Sequence, residues 1–367
     1  MVNPPDDARL WPRRALFAIS AMGLGHAQRS LPLIHRLLAR RTRLTIISHG
    51  EALFTLRQAL AGQKAVEFMS VPDYPPLQRG AGLLHYGYFF ADLLGFARRV
   101  RAEHAITARL VAELAPDIII ADGRFGFRAK GVPSFLICHQ IRFILPRLLR
   151  PFQFMADLVQ LFLLRRYDKV LVPDFPTREA SLAGSLSHNW IARLLKPAYV
   201  GHLSSAQYRK AERDIDLLFL AGGFLEGSRA EWEAWVARFA REYKAQRIVS
   251  ILGRMGGISM PVDDSIQHDF VTGAARDALM NRARRIIARA GYTTIMDLIE
   301  LRQDAILLPT PGMTEQSYLA RRYPQTDIAG SIGYVFRYAD LPEAIRAWRV
   351  EDTLDGIQHA IGDRQRD

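Results

Sequence analysis

Short apolar runs recur along this chain at Ala15 to Ser20, Leu44 to Ser48, Asp117 to Ala121, Ser134 to Cys138, Lys169 to Val172, Leu217 to Ala221, Arg247 to Leu252, Arg284 to Ala288 and Ala305 to Pro309, and a segment of helical period follows each. A strand buried on both faces reads as an unbroken apolar run, and joining it to a parallel neighbour takes a crossover helix. The alternation therefore specifies an α/β chain built on parallel sheets with helices on both faces. So many strands call for two sheets, and two Rossmann-like domains facing across a cleft are expected. The turn-rich stretch 201–205 and the charged run Arg209 to Asp216 mark the division. This gives an amino-terminal domain over 1–205, a second over 206–340, and a carboxyl-terminal segment, 341–367, that packs back on the first. Ligands bind such sheets at the carboxyl ends of the strands, so the loops after these runs carry the candidate chemistry.

Composition narrows the function classes. The 367 residues are 49% apolar and 23% charged, an ordinary globular balance with length for about two domains. The single cysteine, Cys138, cannot form an internal disulfide, and cytoplasm is the expected compartment. Lys+Arg 49 against Asp+Glu 37 gives a net charge of +12, which suits nucleic acid, an anionic membrane surface or a phosphorylated substrate. Only six of the basic residues are lysine, and an arginine bias of this kind also follows from genome composition. The amino terminus is polar and reads as a mature start without a targeting segment. The most apolar long stretch, Ile141 to Leu164, contains Arg142, Arg147, Arg150, Asp157, Pro146 and Pro151, so it fails as a membrane span and leaves a membrane-surface role open.

The first informative loop, Ser20 to Ser30, carries Gly23, Gly25, His26 and Arg29 and leads from the first strand into an amphipathic helix. Glycines let backbone approach a ligand, helix-start amides favour developing negative charge, and a histidine there is suited to general-base work. A plain strand-to-helix turn with a surface histidine explains the same residues. The third glycine of a dinucleotide fingerprint is missing. The second constellation runs from Arg284 through Arg289, Gly291, Tyr292, Thr293, Thr294 and Asp297, then from Ala305 through Thr314, Glu315 and Gln316. A strand enters a glycine turn, threonines open a helix, and an acid follows in its first turn, so helix amides can meet a diphosphate while the carboxylate reaches a sugar hydroxyl. A capping box between Thr294 and Asp297 is the structural alternative. Asp214 and Asp216 precede their strand and read as strand-edge charge. No Cys/His cluster offers a zinc site, and no Gly-x-Ser-x-Gly elbow supports a hydrolase triad.

The set Ala288-Arg-Ala-Gly-Tyr-Thr-Thr-Ile-Met-Asp297, followed by Ile306-Leu-Leu-Pro309 and Thr314-Glu-Gln316, resembles the donor-binding signature of glycosyltransferase family 28, the MurG-like enzymes of the GT-B fold. Gly23-Leu-Gly-His26 is similar to the glycine loop and histidine of their amino-terminal domain. Asp122 to Gly126, Cys138-His139-Gln140, Val172-Pro-Asp174, Leu182 to His188 and Tyr199-Val-Gly201 resemble a bacterial branch of such transferases. The resemblance implies that Gly222 and Gly223 face the donor phosphates and that Phe270 and Val271 line the uracil. By the same resemblance Gly291, Tyr292, Thr293 and Thr294 bind diphosphate next to Arg289, Asp297 holds the ribose, and Thr314, Glu315 and Gln316 read the donor sugar. Gly23, Gly25 and Arg29 fall on the acceptor-side loop. The family acid is usually glutamate, so Asp297 is one methylene short.

The implied activity is metal-independent, inverting transfer from a nucleotide sugar, first of all a UDP-sugar, to a hydroxyl acceptor. His26 is the expected base and Asp122 the reserve candidate. No cofactor is implied beyond the nucleotide sugar as co-substrate. The acceptor of MurG-like enzymes is lipid-linked, and the apolar, arginine-flanked stretches Leu83 to Val100 and Ile141 to Arg166 would attach the protein to the inner face of the cytoplasmic membrane. A nucleotide-sugar 2-epimerase or hydrolase of the same fold is the alternative enzyme. A basic nucleic-acid-binding protein is disfavoured because the charge joins no recognisable reading motif, and no nucleic acid is expected.

Overall fold

The computed structural model describes residues 11–74, 84–221, 226–242, 247–253, 266–268, 271–328 and 330–366. It divides into two compact units. One comprises the residues up to Met22, His26–Leu203 and the chain from Arg349 onward; the other comprises Gly23–Gly25 and Ser204–Trp348.

The first unit holds β1 (Arg14–Ile19), β2 (Arg43–Ser48), β3 (Val66–Ser70), β4 (Ile118–Asp122), β5 (Ser134–Ile137), β6 (Lys169–Val172) and β7 (Ala198–Tyr199). They form one sheet in the order β3-β2-β1-β4-β5-β6-β7, and every pairing is parallel. The sequence reason is the apolar run itself, since all five residues of β1 after Arg14 are buried, as is every residue of β4 and β5. One face packs Phe17, Ile46 and Ile120 with Leu33, Ile34 and Leu37 of the helix Gly25–Ala39. The helix Val350–Arg366 adds Val350, Leu354, Ile357 and Ile361 to the same cluster, and Thr353 Oγ1 donates to the His202 carbonyl at 2.7 Å.

The second unit holds β8 (Ile215–Leu220), β9 (Ile248–Ile251), β10 (Ile266–His268), β11 (Ala283–Arg289), β12 (Ala305–Leu308), β13 (Gln325–Ile328) and β14 (Ser331–Phe336), in the order β10-β9-β8-β11-β12-β14-β13. Its core sets Phe219 edge-on against Trp235 at 5.7 Å and Phe239 at 5.5 Å. The second sheet is parallel except at one edge, where β14 runs antiparallel to both β12 and β13. Two residues separate Ile328 from Ser331, too few for a crossover, so the chain reverses at Gly330 with a positive φ of 70°. Both sheets reverse strand order beside their first strand, between β1 and β4 and between β8 and β11. Open α/β sheets form their ligand crevice at such points.

Candidate active site

At the reversal in the first sheet, Ile19 pairs with Asp122, which brings the loop after β1 to the end of β4. His26 stands in the first turn of the helix Gly25–Ala39, and its Nδ1 lies 2.8 Å from Asp122 Oδ1. Arg29, three residues on and hence on the same helix face, reaches the same carboxylate with both prongs, Nε to Oδ2 at 2.8 Å and the Nη2 amino group to Oδ1. Ser30 Oγ adds a third donor at 3.1 Å. Asp122 is completely buried; burial by itself would raise its pKa, but the Arg29 guanidinium and His26 hold the carboxyl far below the usual range. Arg29 Nη2 is also 3.0 Å from His26 Nδ1, but a guanidinium only donates. If it donated there, a lone pair on Nδ1 would face the carboxylate at 2.8 Å. The proton therefore sits on Nδ1 and is given to Asp122, leaving the lone pair on Nε2.

These contacts bear on two expectations. Asp122, the reserve candidate for the base, has no exposed surface from which to meet a substrate, and its Oδ1 contacts His26. Arg29, expected on the acceptor-side loop, is 1% exposed and bound to Asp122, with His139 Nδ1 3.5 Å from its Nη1. Gly23 keeps a role that glycine suits, with φ at 82° in the turn before the helix, and Gly25 is the first helical residue.

A second buried network holds the same loops and was not foreseen from the sequence. Asp73, just beyond β3, accepts hydrogen bonds from Ser20 Oγ at 2.8 Å and from the Ala21 amide, at the start of the histidine loop. Its carboxylate lies 3.7 Å from Arg124 Nε, two residues past Asp122. Arg124 is paired with Glu103 at 2.6 Å, and neither side chain has exposed surface. Tyr74 donates to Glu103 at 2.5 Å, as does the Gly126 amide at 2.9 Å. Gly123, with φ at 71°, passes so close to the histidine that a Cβ there would meet His26 Cε1 at 2.9 Å.

In the second unit, Gly222, Gly223 and Phe270 lie outside the described residues, and Val271 follows β10 in a loop. The helix Tyr292–Glu300 has Gly291 as its N-cap, so the capping box offered as the alternative reading of Thr294 and Asp297 does not form, and Asp297 falls in the second turn rather than the first. Gly291, Tyr292, Thr293 and Thr294 make up the helix start, beyond the carboxyl end of β11. Asp297 is 2% exposed; its Oδ1 accepts from Ser204 Oγ at 2.5 Å and its Oδ2 from Arg276 at 3.0 Å. Arg289 lies over Trp232 at 4.5 Å and donates to the Pro309 carbonyl at 3.2 Å; burial pulls its pKa down to about 10. Thr314 and Glu315 open the helix Thr314–Ala320, and Gln316 Oε1 accepts from the Thr310 amide at 2.9 Å, bracing the loop before it.

Other motif residues are structural. Asp174 accepts from Ser181 and Ser187 hydroxyls at 2.7 and 2.6 Å and from the Leu182 amide, and His188 stacks on Tyr199 at 4.5 Å. Asp214 is bound by Arg247 and Arg282, and Asp216 by Arg284, as strand-edge charge would be.

No protein-family model matches the chain. It is 25% identical over 334 residues, covering 85% of this chain and 80% of the relative, to a UDP-N-acetylglucosamine--N-acetylmuramyl-(pentapeptide) pyrophosphoryl-undecaprenol N-acetylglucosamine transferase from Methylobacterium sp. (strain 4-46). Among solved structures it is similar to Os79 from O. sativa in complex with U2F and trichothecene, at TM-score 0.58 and 14% identity, covering 96% of this chain and 95% of that one. The calicheamicin glycosyltransferase CalG4 gives 0.56 at 14% identity, covering 96% and 97%. Arabidopsis thaliana UGT89C1, complexed with UDP-L-rhamnose, gives 0.55 at 12% identity, covering 96% and 99%. The fold is GT-B. Each of its two Rossmann-like units carries one half of the motif set, and the resemblance to MurG-like transferases holds along most of the chain.

Proposed function

We propose that this protein is a glycosyltransferase that moves a sugar from a UDP-sugar to a hydroxyl acceptor, with inversion and without a metal. The observation that carries the reading is the His26–Asp122 pair at the strand-order reversal of the first sheet, with the histidine proton committed to Asp122. His26 Nε2 takes the acceptor's proton as the acceptor oxygen attacks the anomeric carbon from the side opposite the diphosphate. Asp122, kept ionised by Arg29, stabilises the imidazolium that forms. The helix start at Gly291 to Thr294 receives the leaving diphosphate, and Gly222 and Gly223 belong to the same reading. Thermal-shift screening against UDP-, GDP- and dTDP-sugars tests it, because a ligand of the native state raises apparent stability by mass action. UDP-sugars should give the largest shift, EDTA should leave turnover unchanged, and the product should form only with acceptor present. Product released equally without acceptor would make the enzyme a hydrolase or epimerase.

Gly123→Ala should lower turnover about 10²-fold with little change in nucleotide affinity, since the new methyl displaces His26 and misplacement by about 1 Å costs that much. Unchanged turnover in the folded variant would remove His26 as the base.

A lipid-linked acceptor is supported by one face of the first unit. Phe154, Met155, Val159 and Phe162 on the helix Gln153–Leu164, with Leu148 and Phe152 just before it, are all exposed, Phe154 by 61%. Arg147, Arg150, Arg165 and Arg166 are exposed beside them. Asp157, on the buried side, ties the helix down through Arg142 at 3.0 Å and Trp190 at 2.9 Å. In the other stretch Leu94 is exposed, whereas Leu83 lies outside the described residues. No helix among the described residues is long and apolar enough to cross a membrane. An apolar face ringed by arginines matches interfacial attachment to anionic lipid at the inner face of the cytoplasmic membrane, at about 1 kcal/mol per basic residue. Co-sedimentation should therefore favour anionic over neutral vesicles and fall steeply with salt. Equal retention by both would return the acceptor to solution.

A further inference from the structure

We propose that Ser204 and Arg276 are positioning residues of the donor site, which fix the Asp297 carboxylate so that the acceptor positions they leave open take the two hydroxyls of the nucleotide ribose. The proposal rests on the reading of the second unit as the donor-binding unit, with Asp297 at the ribose. An ionised carboxylate has two oxygens and about four acceptor positions. Among the described residues, Ser204 Oγ donates to Oδ1 at 2.5 Å and Arg276 Nη1 to Oδ2 at 3.0 Å, one bond to each oxygen. Each oxygen keeps a second acceptor position, and a vicinal diol brings one donor for each. Asp297 is nearly buried, so it cannot turn to find a ligand. A ribose meets the carboxylate in the orientation that these two donors set.

Both donors are themselves held, and by the same acid. Arg276 lies in the first turn of the helix Gly273–Arg282, and its Nη2 pairs with Asp277 Oδ1 at 3.2 Å. Asp277 Oδ2 accepts from the Gln207 amide at 3.0 Å, in the segment that carries Ser204. One turn further along the helix, Asn281 donates to the Gln207 carbonyl at 2.9 Å and accepts from the Arg209 amide at 3.1 Å. The segment 204–209 is thus strapped to the helix. The Ala206 amide donates to Ser204 Oγ at 3.0 Å, which leaves the hydroxyl proton for Asp297. Donors arriving from two separate elements fix both the place and the plane of the carboxylate, where one alone would leave it free to rotate. A binding group held in its bound geometry is not ordered at the ligand's expense. Asp297 has one torsion fewer than a glutamate, so two fixed donors suffice to set it.

The test is calorimetric binding of UDP and of 2′,3′-dideoxyUDP, which lacks both ribose hydroxyls, to wild type, Ser204→Ala, Ser204→Thr and Arg276→Lys. Wild type should bind UDP at least about tenfold tighter, as charge-assisted bonds to the hydroxyls require. In Ser204→Ala, and in Arg276→Lys, which keeps the charge and loses the planar fork, that preference should fall about threefold or more, through weaker UDP binding with the dideoxy nucleotide unchanged. Ser204→Thr keeps the hydroxyl and should keep the wild-type ratio; its loss there would count against the hydroxyl as the cause. A role in folding alone would weaken both nucleotides together, so an unchanged ratio in Ser204→Ala and Arg276→Lys overturns the proposal and leaves the donor reading intact. A fall in only one of the two overturns the assignment of the other residue. Equal binding of both nucleotides by wild type removes Asp297 from the ribose and the proposal with it, while a nucleotide site remains. Neither nucleotide binding at millimolar concentration overturns the donor reading itself. Should Ser204→Ala fail to fold, the ratio in Arg276→Lys decides.

Discussion

His26→Ala should lower turnover by about 10² to 10⁴-fold while leaving affinity for the nucleotide sugar nearly unchanged, the range over which a positioned general base acts. The split follows from where the side chain sits. His26 belongs to the first unit and is bound to Asp122, whereas the helix start at Gly291 that would take the diphosphate belongs to the second. Asp122→Asn should cost turnover comparably, because an amide can donate to His26 Nδ1 and would move the proton to Nε2, the atom that must accept it. The depressed pKa of Asp122 has a consequence for stability as well. A carboxyl titrating lower in the folded than in the unfolded chain stabilises the fold above about pH 3.9, and that contribution is lost as pH falls toward the folded value. Steady-state kinetics with isothermal titration checks the first claim. Turnover retained in a folded His26→Ala protein would remove the base.

The largest effect on stability is expected from Glu103→Ala. It leaves the Arg124 guanidinium buried with no exposed surface and without the carboxylate 2.6 Å away, and breaking a buried pair in this way costs about 3–5 kcal/mol. Arg124 also lies over Tyr74 and Phe127, at 5.8 and 5.2 Å, but ring contacts of this kind return only about 0.5–2 kcal/mol each. Replacing both partners with apolar residues of similar volume, Glu103→Leu with Arg124→Met, should recover most of the loss, because neither charge is then left uncompensated. The lost ties to Asp73 and to the Val71 and Pro72 carbonyls should still lower turnover, since they hold the histidine loop against the end of β4. Denaturant unfolding of the single and double variants checks this. A single variant as stable as wild type would mean that the pair is not what holds these loops.

The two repeats of strand and helix were legible because a strand buried on both faces must be apolar throughout, and β1, β2, β4, β5, β6, β8, β9, β11 and β12 all fall on such runs. The strands that escaped notice are those for which this reason fails. β3 is only partly buried along its length, β7 has two residues and β10 three, and the edge hairpin of β13 and β14 has buried positions only in β14, at Gly333 and Phe336. Of the site, the sequence by itself determined the chemistry available at each strand end: a histidine after β1, an acid closing β4, a glycine opening the helix after β11. Only the tertiary structure decided what each of these groups binds. Asp122 lies 96 residues from His26 and 93 from Arg29, and strand order brings them together. Arg29 looked like an acceptor contact from its loop and proved to be the buried counter-ion of Asp122. Asp297, which the resemblance sets against a ribose, accepts from Ser204, 93 residues earlier, and from Arg276 on another helix. Local sequence sets period and residue type. The partner of a buried charge is set by which distant strand ends and helices the sheet order makes neighbours, because a charge taken out of water must find its counter-ion among them.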